Sequence, residues 1–507
     1  MFNCEENFLD RRIAERILQG NQDEGALRFL SSLVKESRLG HICYKSTEPV
    51  SFPLDIICEG KDLHPKAPVV RQKDRYYLQK NWVYETHVLE QVKRLKNQKP
   101  SLHEEEIFFH ELQQAALLPK QREAIEKTFE ESLTLICGGP GTGKTYTAAT
   151  LVRILCASKK KKRFKVILAA PTGKAASHLH SILGTLDAEV KSFTLHRLLR
   201  LSPGKTSLFS GNTIDADLVI VDEASMIDVP LLAQLLESIA FETRLVLMGD
   251  PDQLPPVEAG SLFAEMASLF GVRLDKTMRT DQVVLQTLAK SINEGQLSIQ
   301  SDLRLNWPFD KELAGKLFQE IPSVVYSEKP DPQACLNFLK SFRILGALRQ
   351  GPFGIDALNR QIISELQKKI HPKQWWAIPI MVTNNDSVRD LYNGSCGVLI
   401  GQSKSGEIRL SAGTAYFPEE FFYKDLPPFE IAFCLSIHKS QGSEFDKVIA
   451  LFPQGSENFG KEALYTAVTR ARKELQIIGE ESVLQSMVEK QSKKNSGFTE
   501  RFKENSS

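Results

Sequence analysis

Thr134–Thr147 reads TLICGGPGTGKTYT. The apolar run Leu133, Leu135, Ile136 and Cys137 has the character of a buried strand. It passes into Gly138-Gly139-Pro140-Gly141-Thr142-Gly143-Lys144-Thr145, which satisfies G-x-x-x-x-G-K-[ST] with strand before and helix after. Glycines let backbone N–H groups turn inward around phosphate, and the following helix aims its positive end at the same point. Lys144 can reach the β- and γ-phosphates, and the Thr145 hydroxyl can hold Mg²⁺. A plain glycine-rich turn need not carry every one of these positions in this setting. The stretch predicts a nucleoside triphosphate site on an α/β fold.

Just upstream, Leu118-Pro119-Lys120-Gln121 opens a helix with proline in its first turn. The amide of Gln121 pairs a donor with an acceptor, as an adenine edge requires. Downstream, strands and helices alternate as a parallel sheet demands. Lys165–Ala170 is a strand running into Pro171-Thr172-Gly173-Lys174. Leu218–Val221 is an apolar strand ending in Asp222 and Glu223. Asp222 suits Mg²⁺ coordination at the phosphate site, and Glu223 suits a base that orients the attacking water. Leu245–Gly249 is a third such strand, and Gln253 beyond it is placed to sense the γ-phosphate.

A second lobe repeats the alternation, with strands expected at Ile378–Val382, Ala432–Leu435 and Val448–Phe452. Cys396–Phe429, rich in Gly and Ser, reads as a small β insertion. Ser436-Ile437-His438-Lys439-Ser440-Gln441-Gly442-Ser443-Glu444 lies between two strands, and Tyr465–Arg472 reads as a helix bearing arginines. An arginine brought from one lobe onto a triphosphate held by the other is the arginine-finger arrangement. The expected division is a helical, partner-docking domain over 1–110, a first lobe over 111–295 and a linker over 296–340. A second lobe over 341–490 and a disordered tail over 491–507 complete it. In the first of these, Phe8, Phe29, Trp82 and Tyr84 fit either core packing or an interface.

Composition narrows the class. The net charge of +1, from 64 basic and 63 acidic residues, leaves no global field to draw the chain onto nucleic acid, so a local cleft must supply one. Eight cysteines without a C-x-x-C spacing argue against zinc or iron–sulfur sites and for reduced thiols. No apolar run approaches the ~18 residues of a membrane span, and no signal-peptide pattern is seen. A cytoplasmic location is expected, without membrane contact.

The residues resemble superfamily 1 helicases and, within them, the RecD family, the alpha chain of exodeoxyribonuclease V. The pieces that carry the likeness are GGPGTGKT (138–145), APTGKAA (170–176), TLHRLL (194–199), VDEASM (221–226), GDPDQLPPVEAGSLF (249–263), SIHKSQGSEFD (436–446) and YTAVTRAR (465–472). YYLQKNWVYE (76–85) extends it into the first domain. The resemblance implies two RecA-like lobes and an ATP-dependent 5′→3′ DNA helicase in recombinational repair. It implies a complex with RecB-like and RecC-like subunits, and nuclease activity only through such a partner. It makes Gln121 the adenine reader, Lys144 and Thr145 the phosphate and Mg²⁺ ligands, and Asp222 with Glu223 the acidic pair. Gln253 becomes the γ-phosphate coupler, Arg279 and Arg470 the γ-phosphate arginines, and Glu444 a ribose neighbour. Thr172, Lys174, Thr194, His196, Thr383, Asn385, Ser436 and His438 would line the single-strand path. Asn384 stands where many relatives carry Arg. A helicase acting alone and a nucleotide-switched scaffold at DNA ends are the competing readings. The turn-rich Leu199–Thr213 is expected to form a hairpin near the fork.

Overall fold

The structure is a computed structural model that describes residues 7–504, apart from 20–22, 47–55, 62–64, 101–102, 160–163, 184–187, 202–212, 257–259, 278–282, 301–302, 323–328, 387, 390, 418 and 491–493. Helices Phe8–Ile17 and Glu24–Arg38 are followed by β1 (Tyr44–Lys45), β2 (Ile57–Glu59), β3 (Val69–Gln72) and β4 (Arg75–Leu78), in the sheet order β1-β4-β3-β2. The first domain is therefore not wholly helical. VVRQ and RYYL pair across a two-residue turn with Lys73 at φ 56°, so Tyr76 lies within a strand and the following helix starts at Gln79. That helix (Gln79–Asn97) buries Trp82, Tyr84, Val88, Val92 and Leu95 against strands and helix Val229–Ser238 of the first lobe. Phe29, Trp82 and Tyr84 are core residues. Phe8 alone of the four stays at the surface, 75% exposed.

The first lobe is a parallel sheet of β5 (Leu133–Cys137), β6 (Lys165–Ala170), β7 (Glu189–Thr194), β8 (Leu218–Val221), β9 (Arg244–Gly249) and β10 (Val272–Arg273), ordered β10-β5-β9-β8-β6-β7. Both faces are covered, which is why β5, β8 and β9 are buried at every position. The second lobe has four parallel strands. They are β11 (Phe342–Gly346) and three that follow an inserted sheet, β17 (Cys434–Ser436), β18 (Phe445–Phe452) and β19 (Ala471–Gly479), in the order β17-β11-β18-β19. The insertion holds β12 (Trp375–Val382), β13 (Cys396–Gln402), β14 (Thr414–Tyr416), β15 (Glu420–Phe422) and β16 (Phe429–Ile431), all antiparallel. Ile378–Val382 thus belongs to the insertion and not to the parallel sheet. An unbroken apolar run reads alike for either kind of buried strand.

Two expected boundaries also move. Helices Leu313–Gln319 and Pro332–Ser341 bury Leu313, Leu317, Phe318 and Leu339 in the second lobe, so 296–340 is not a bare linker. Helix Val283–Asn293, placed by sequence in the first lobe, packs Leu285, Leu288 and Ile292 into the second. Within the stretch expected to be a disordered tail, residues 494–504 are described and hold helix Phe498–Glu504. There Arg501 donates to Glu85 (2.9 Å) and to the Thr86 hydroxyl (2.6 Å), and lies 3.9 Å over the Trp82 ring. Tyr77 and the Gly497 N–H also donate to Glu85. Among the described residues no helix is long and apolar enough to cross a membrane.

Candidate nucleotide site and strand path between the lobes

Gly141 and Gly143 take φ 76° and 84°, the left-handed region that glycine enters without penalty. Gly143 caps helix Lys144–Ala157 and offers no side chain to its first N–H groups. Those donors are left for a ligand oxygen. Lys144 Nζ folds back onto the carbonyls of Gly138 (2.6 Å) and Gly139 (3.1 Å), inside the same loop as Pro140. Gly139 is confined as well: a Cβ there would stand 3.0 Å from the hydroxyl of Tyr465, a residue of the second lobe. Gln121 is buried beside the loop, accepting from Leu118 N–H and donating to the Thr142 carbonyl at 3.3 Å. It reaches a base only by releasing that bond.

β8 delivers Asp222 and Glu223. Asp222 accepts the Glu223 N–H at 2.9 Å, and Glu223 sits at φ 52°, a left-handed conformation costly for a residue with a Cβ. Burial first, then neighbouring Asp222, pushes the Glu223 carboxyl up to about 7, while Arg470 and Lys144 pull the other way. Lys144, Asp222, Glu223, Asp250 and Arg470 therefore share one field. Arg470 is buried, and its guanidinium bonds to the Thr466 and Ser443 carbonyls and the Thr469 hydroxyl, all uncharged oxygens of its own lobe. The helix expected to bear the arginines stops at Val468. Arg470 occupies the turn after it, and Arg472 is the second residue of β19, where it pairs with Glu444 at 3.1 Å. The chain must turn there to start the edge strand of the sheet.

The lobes meet at the turn after β9. Leu254 N–H donates to Thr466 Oγ1 (2.9 Å), Gln441 Nε2 donates to the Leu254 carbonyl (2.8 Å), and Tyr465 donates to Asp250 Oδ2 (2.9 Å). Gln253 donates to the same Asp250 oxygen at 3.1 Å. Asp250, Tyr465 and Gln441 were not singled out from sequence. A buried Asp ending an apolar strand, the pattern that marked Asp222, was the available signal for Asp250. Thr145 at a helix start and Asp222 at a strand end supply a hydroxyl and a carboxylate, hard oxygen donors of the kind Mg²⁺ takes together with phosphate.

Thr172 and Thr194 stand at the carboxyl edge of adjacent strands, since Ala170 of β6 pairs with Thr194 of β7. Thr172 Oγ1 accepts the Ala175 N–H and Thr194 Oγ1 the Arg197 N–H, while His196 is exposed. From the other lobe, Thr383 donates to the Pro428 carbonyl and Asn385 accepts the Asn393 N–H. The same loop carries Tyr392 onto Gly173, where a Cβ would lie 2.9 Å from the ring. Loop 383–395 thus faces the helix that begins at Gly173. Ser436 Oγ accepts the Lys439 N–H, and His438 packs 6.1 Å from the Phe459 ring. Burial, with Lys494 nearby, pushes His438 down to about 4, so it is neutral at physiological pH. Arg279, the Lys174 side chain and most of Leu199–Thr213 lie outside the described residues.

The AAA domain family matches residues 121–259, and the UvrD-like helicase C-terminal domain family matches residues 431–478. The RecBCD enzyme subunit RecD of Mycolicibacterium smegmatis is 32% identical over 477 residues, covering 86% of this chain and 84% of that protein. The subunit of the same name from Haemophilus influenzae is 28% identical, covering 85% and 81%. The ATP-dependent RecD2 DNA helicase of Deinococcus radiodurans is 27% identical over 76% of this chain but only 52% of its own length. A solved Bacteroides Pif1 helicase in complex with ADP-AlF3 and ssDNA is 18% identical over 77% of this chain and 97% of that one, with a TM-score of 0.45. Sequence likeness over nearly the whole length joins the two-lobed nucleotide site, and the chain belongs to the RecD family of ATP-hydrolysing DNA helicases.

Proposed function

We propose that this chain is the 5′→3′ motor of a RecBCD-type complex, engaging single strands at duplex DNA ends and hydrolysing ATP to move along them. The observation that supports this best is the reach of the second lobe. Arg470 and Tyr465 stand in the field of Glu223 and Asp250, which the first lobe holds beside the phosphate loop. A triphosphate seated there is shared by two bodies, so its hydrolysis changes how they fit.

Lys144 leaves the Gly138 and Gly139 carbonyls to take the β- and γ-phosphates. Glu223 orients water and accepts its proton. Arg470, already fixed by three bonds, offers its charge to the γ-phosphate as charge spreads over it. Thr145 and Asp222 would hold Mg²⁺, which when bound neutralises phosphate charge. Thr172, Lys174 and Thr194 on one lobe and Thr383, Asn385, Ser436 and His438 on the other would grip the DNA backbone in turn. RecB-like and RecC-like partners fit two observations. The RecBCD enzyme subunit RecD of Mycolicibacterium smegmatis is 32% identical to this chain, against 27% for the RecD2 helicase. Phe8, Leu9 and Ile13 are 75%, 57% and 40% exposed on one short helix. The test is to purify the chain with and without its genomic neighbours. DNA-stimulated ATPase, displacement from 5′-tailed duplexes and co-purification of the large subunits are expected. An active chain that binds no partner would support the stand-alone reading, and nucleotide binding without unwinding would support the scaffold.

A further inference from the structure

Asp250 is 1% exposed, and three donors hold its carboxylate. Oδ1 accepts the Asp252 N–H at 3.1 Å, and Oδ2 accepts both Gln253 Nε2 at 3.1 Å and the Tyr465 hydroxyl at 2.9 Å. Only the last comes from the second lobe. A carboxylate can only accept from the amide, so the NH₂ end of Gln253 must face Asp250. The opposite end, Gln253 Oε1, is buried and has no partner among the described residues. An amide tied at one end with its other end unpaired, in a site built for phosphate and water, is in a waiting position.

Tyr465 controls that position from two sides. It is 5% exposed and fixed in the second-lobe core, so its hydroxyl moves only when the lobe moves. The hydroxyl also stands 3.0 Å from where a Gly139 Cβ would be, in contact range of the phosphate loop. Burial and Asp250 keep the phenol protonated, so it remains a donor. On the helicase reading above, we propose that Tyr465 is a positioning residue. Through Asp250 it sets the orientation of Gln253, and so reports the place of the second lobe to the γ-phosphate end of the site. When the lobes shift around nucleotide and DNA, the hydroxyl moves off Asp250. Asp250 then relaxes its hold, and the Gln253 amide is released to donate toward phosphate while Oε1 takes the water. Thr466, the next residue, anchors Leu254 N–H, so both ends of the Asp250–Leu254 turn answer to one second-lobe helix.

The test uses the full chain, with its partners if they co-purify. Tyr465→Phe removes one oxygen. It is expected to lower kcat for ATP about tenfold with DNA present, to leave KM for ATP within about twofold, and to shrink the stimulation by single-stranded DNA. Asp250→Asn should give a similar loss. The double variant should be no worse than the poorer single, because both changes break one chain of contacts. If Tyr465→Phe is unstable, fluorescent-nucleotide binding shows whether the site survives. Intact binding with lost DNA stimulation supports the proposal, and binding lost in proportion to the folded fraction overturns it. Wild-type kcat and stimulation in Tyr465→Phe, or additive losses in the double variant, also overturn it. Wild-type protein lacking DNA-stimulated ATPase would overturn the helicase reading itself, and this proposal with it.

Discussion

The Glu223 carboxylate is half-buried, and a second carboxylate is its chain neighbour. Burial and Asp222 raise it to about 7, and a base must be deprotonated to act. The kcat/KM for ATP is therefore expected to fall about tenfold per pH unit below 7, since that parameter reports the free enzyme. A profile flat down to pH 5.5 would remove Glu223 from the role. The same shift sets a stability cost. Between the ordinary glutamate value of 4.5 and about 7, folded Glu223 keeps a proton that the unfolded chain has released. Stability is thus lost as pH rises through that window. Glu223→Gln, neutral throughout, should abolish turnover yet raise Tm at pH 8, as calorimetry would show. Arg470→Ala should bind nucleotide but hydrolyse it ~10³-fold more slowly, the scale of a missing arginine finger. Lys144→Ala, which removes the charge at the phosphates, should be inactive with its fold intact. Lys174→Ala should flatten the salt dependence of DNA binding by roughly one unit, because one phosphate contact is lost.

At the scale of elements, the turn Asp250–Leu254 joins the lobes, and the joint is testable. Thr466→Val removes the acceptor of the buried Leu254 N–H, an orphan that costs about 1–3 kcal/mol. Denaturant unfolding should show that loss, and DNA stimulation should weaken while basal turnover falls less. The placement of the glycine loop, Lys144 and the acidic pair was legible in the sequence, because each sits where an apolar strand ends or a helix begins. Strands β5, β6, β8 and β9 were legible for the same reason, being apolar runs with polar residues at their ends. Ile378–Val382 misled because burial on both faces erases the alternation that would mark an antiparallel strand. The helix Phe498–Glu504 was hidden by its charged composition, since Glu500, Arg501 and Lys503 resemble a solvated tail until the partner surface is known. Tyr465 was passed over because its hydrogen-bond partner, Asp250, lies in the other lobe, which no local pattern records.

At the scale of the whole molecule, the proposed function assigns the acidic pair Asp222–Glu223 to ATP. On that reading, two-metal cleavage of DNA would need a further cluster of carboxylates, supplied by a partner subunit. The purified chain with Mg²⁺ should leave linear DNA undegraded, as gel analysis would show. Docking to the large subunits is better tested by Phe8→Asp with Leu9→Asp than by removing residues 1–110. That deletion would also take Trp82 and Val92 out of the first-lobe core. The paired substitution should weaken co-purification at least tenfold with ATPase retained. The seam between Glu85 and Arg501 has a consequence in time. Its two sides are 416 residues apart, so a ribosome completes Trp82 and Glu85 long before it supplies the residues that cover them. Through most of synthesis, the helix Gln79–Asn97 must keep an aromatic face and a carboxylate uncapped. Maturation therefore waits on the codons for residues 494–504, and a chain released before Lys494 should linger on chaperones even though every ATP-site motif has already been made.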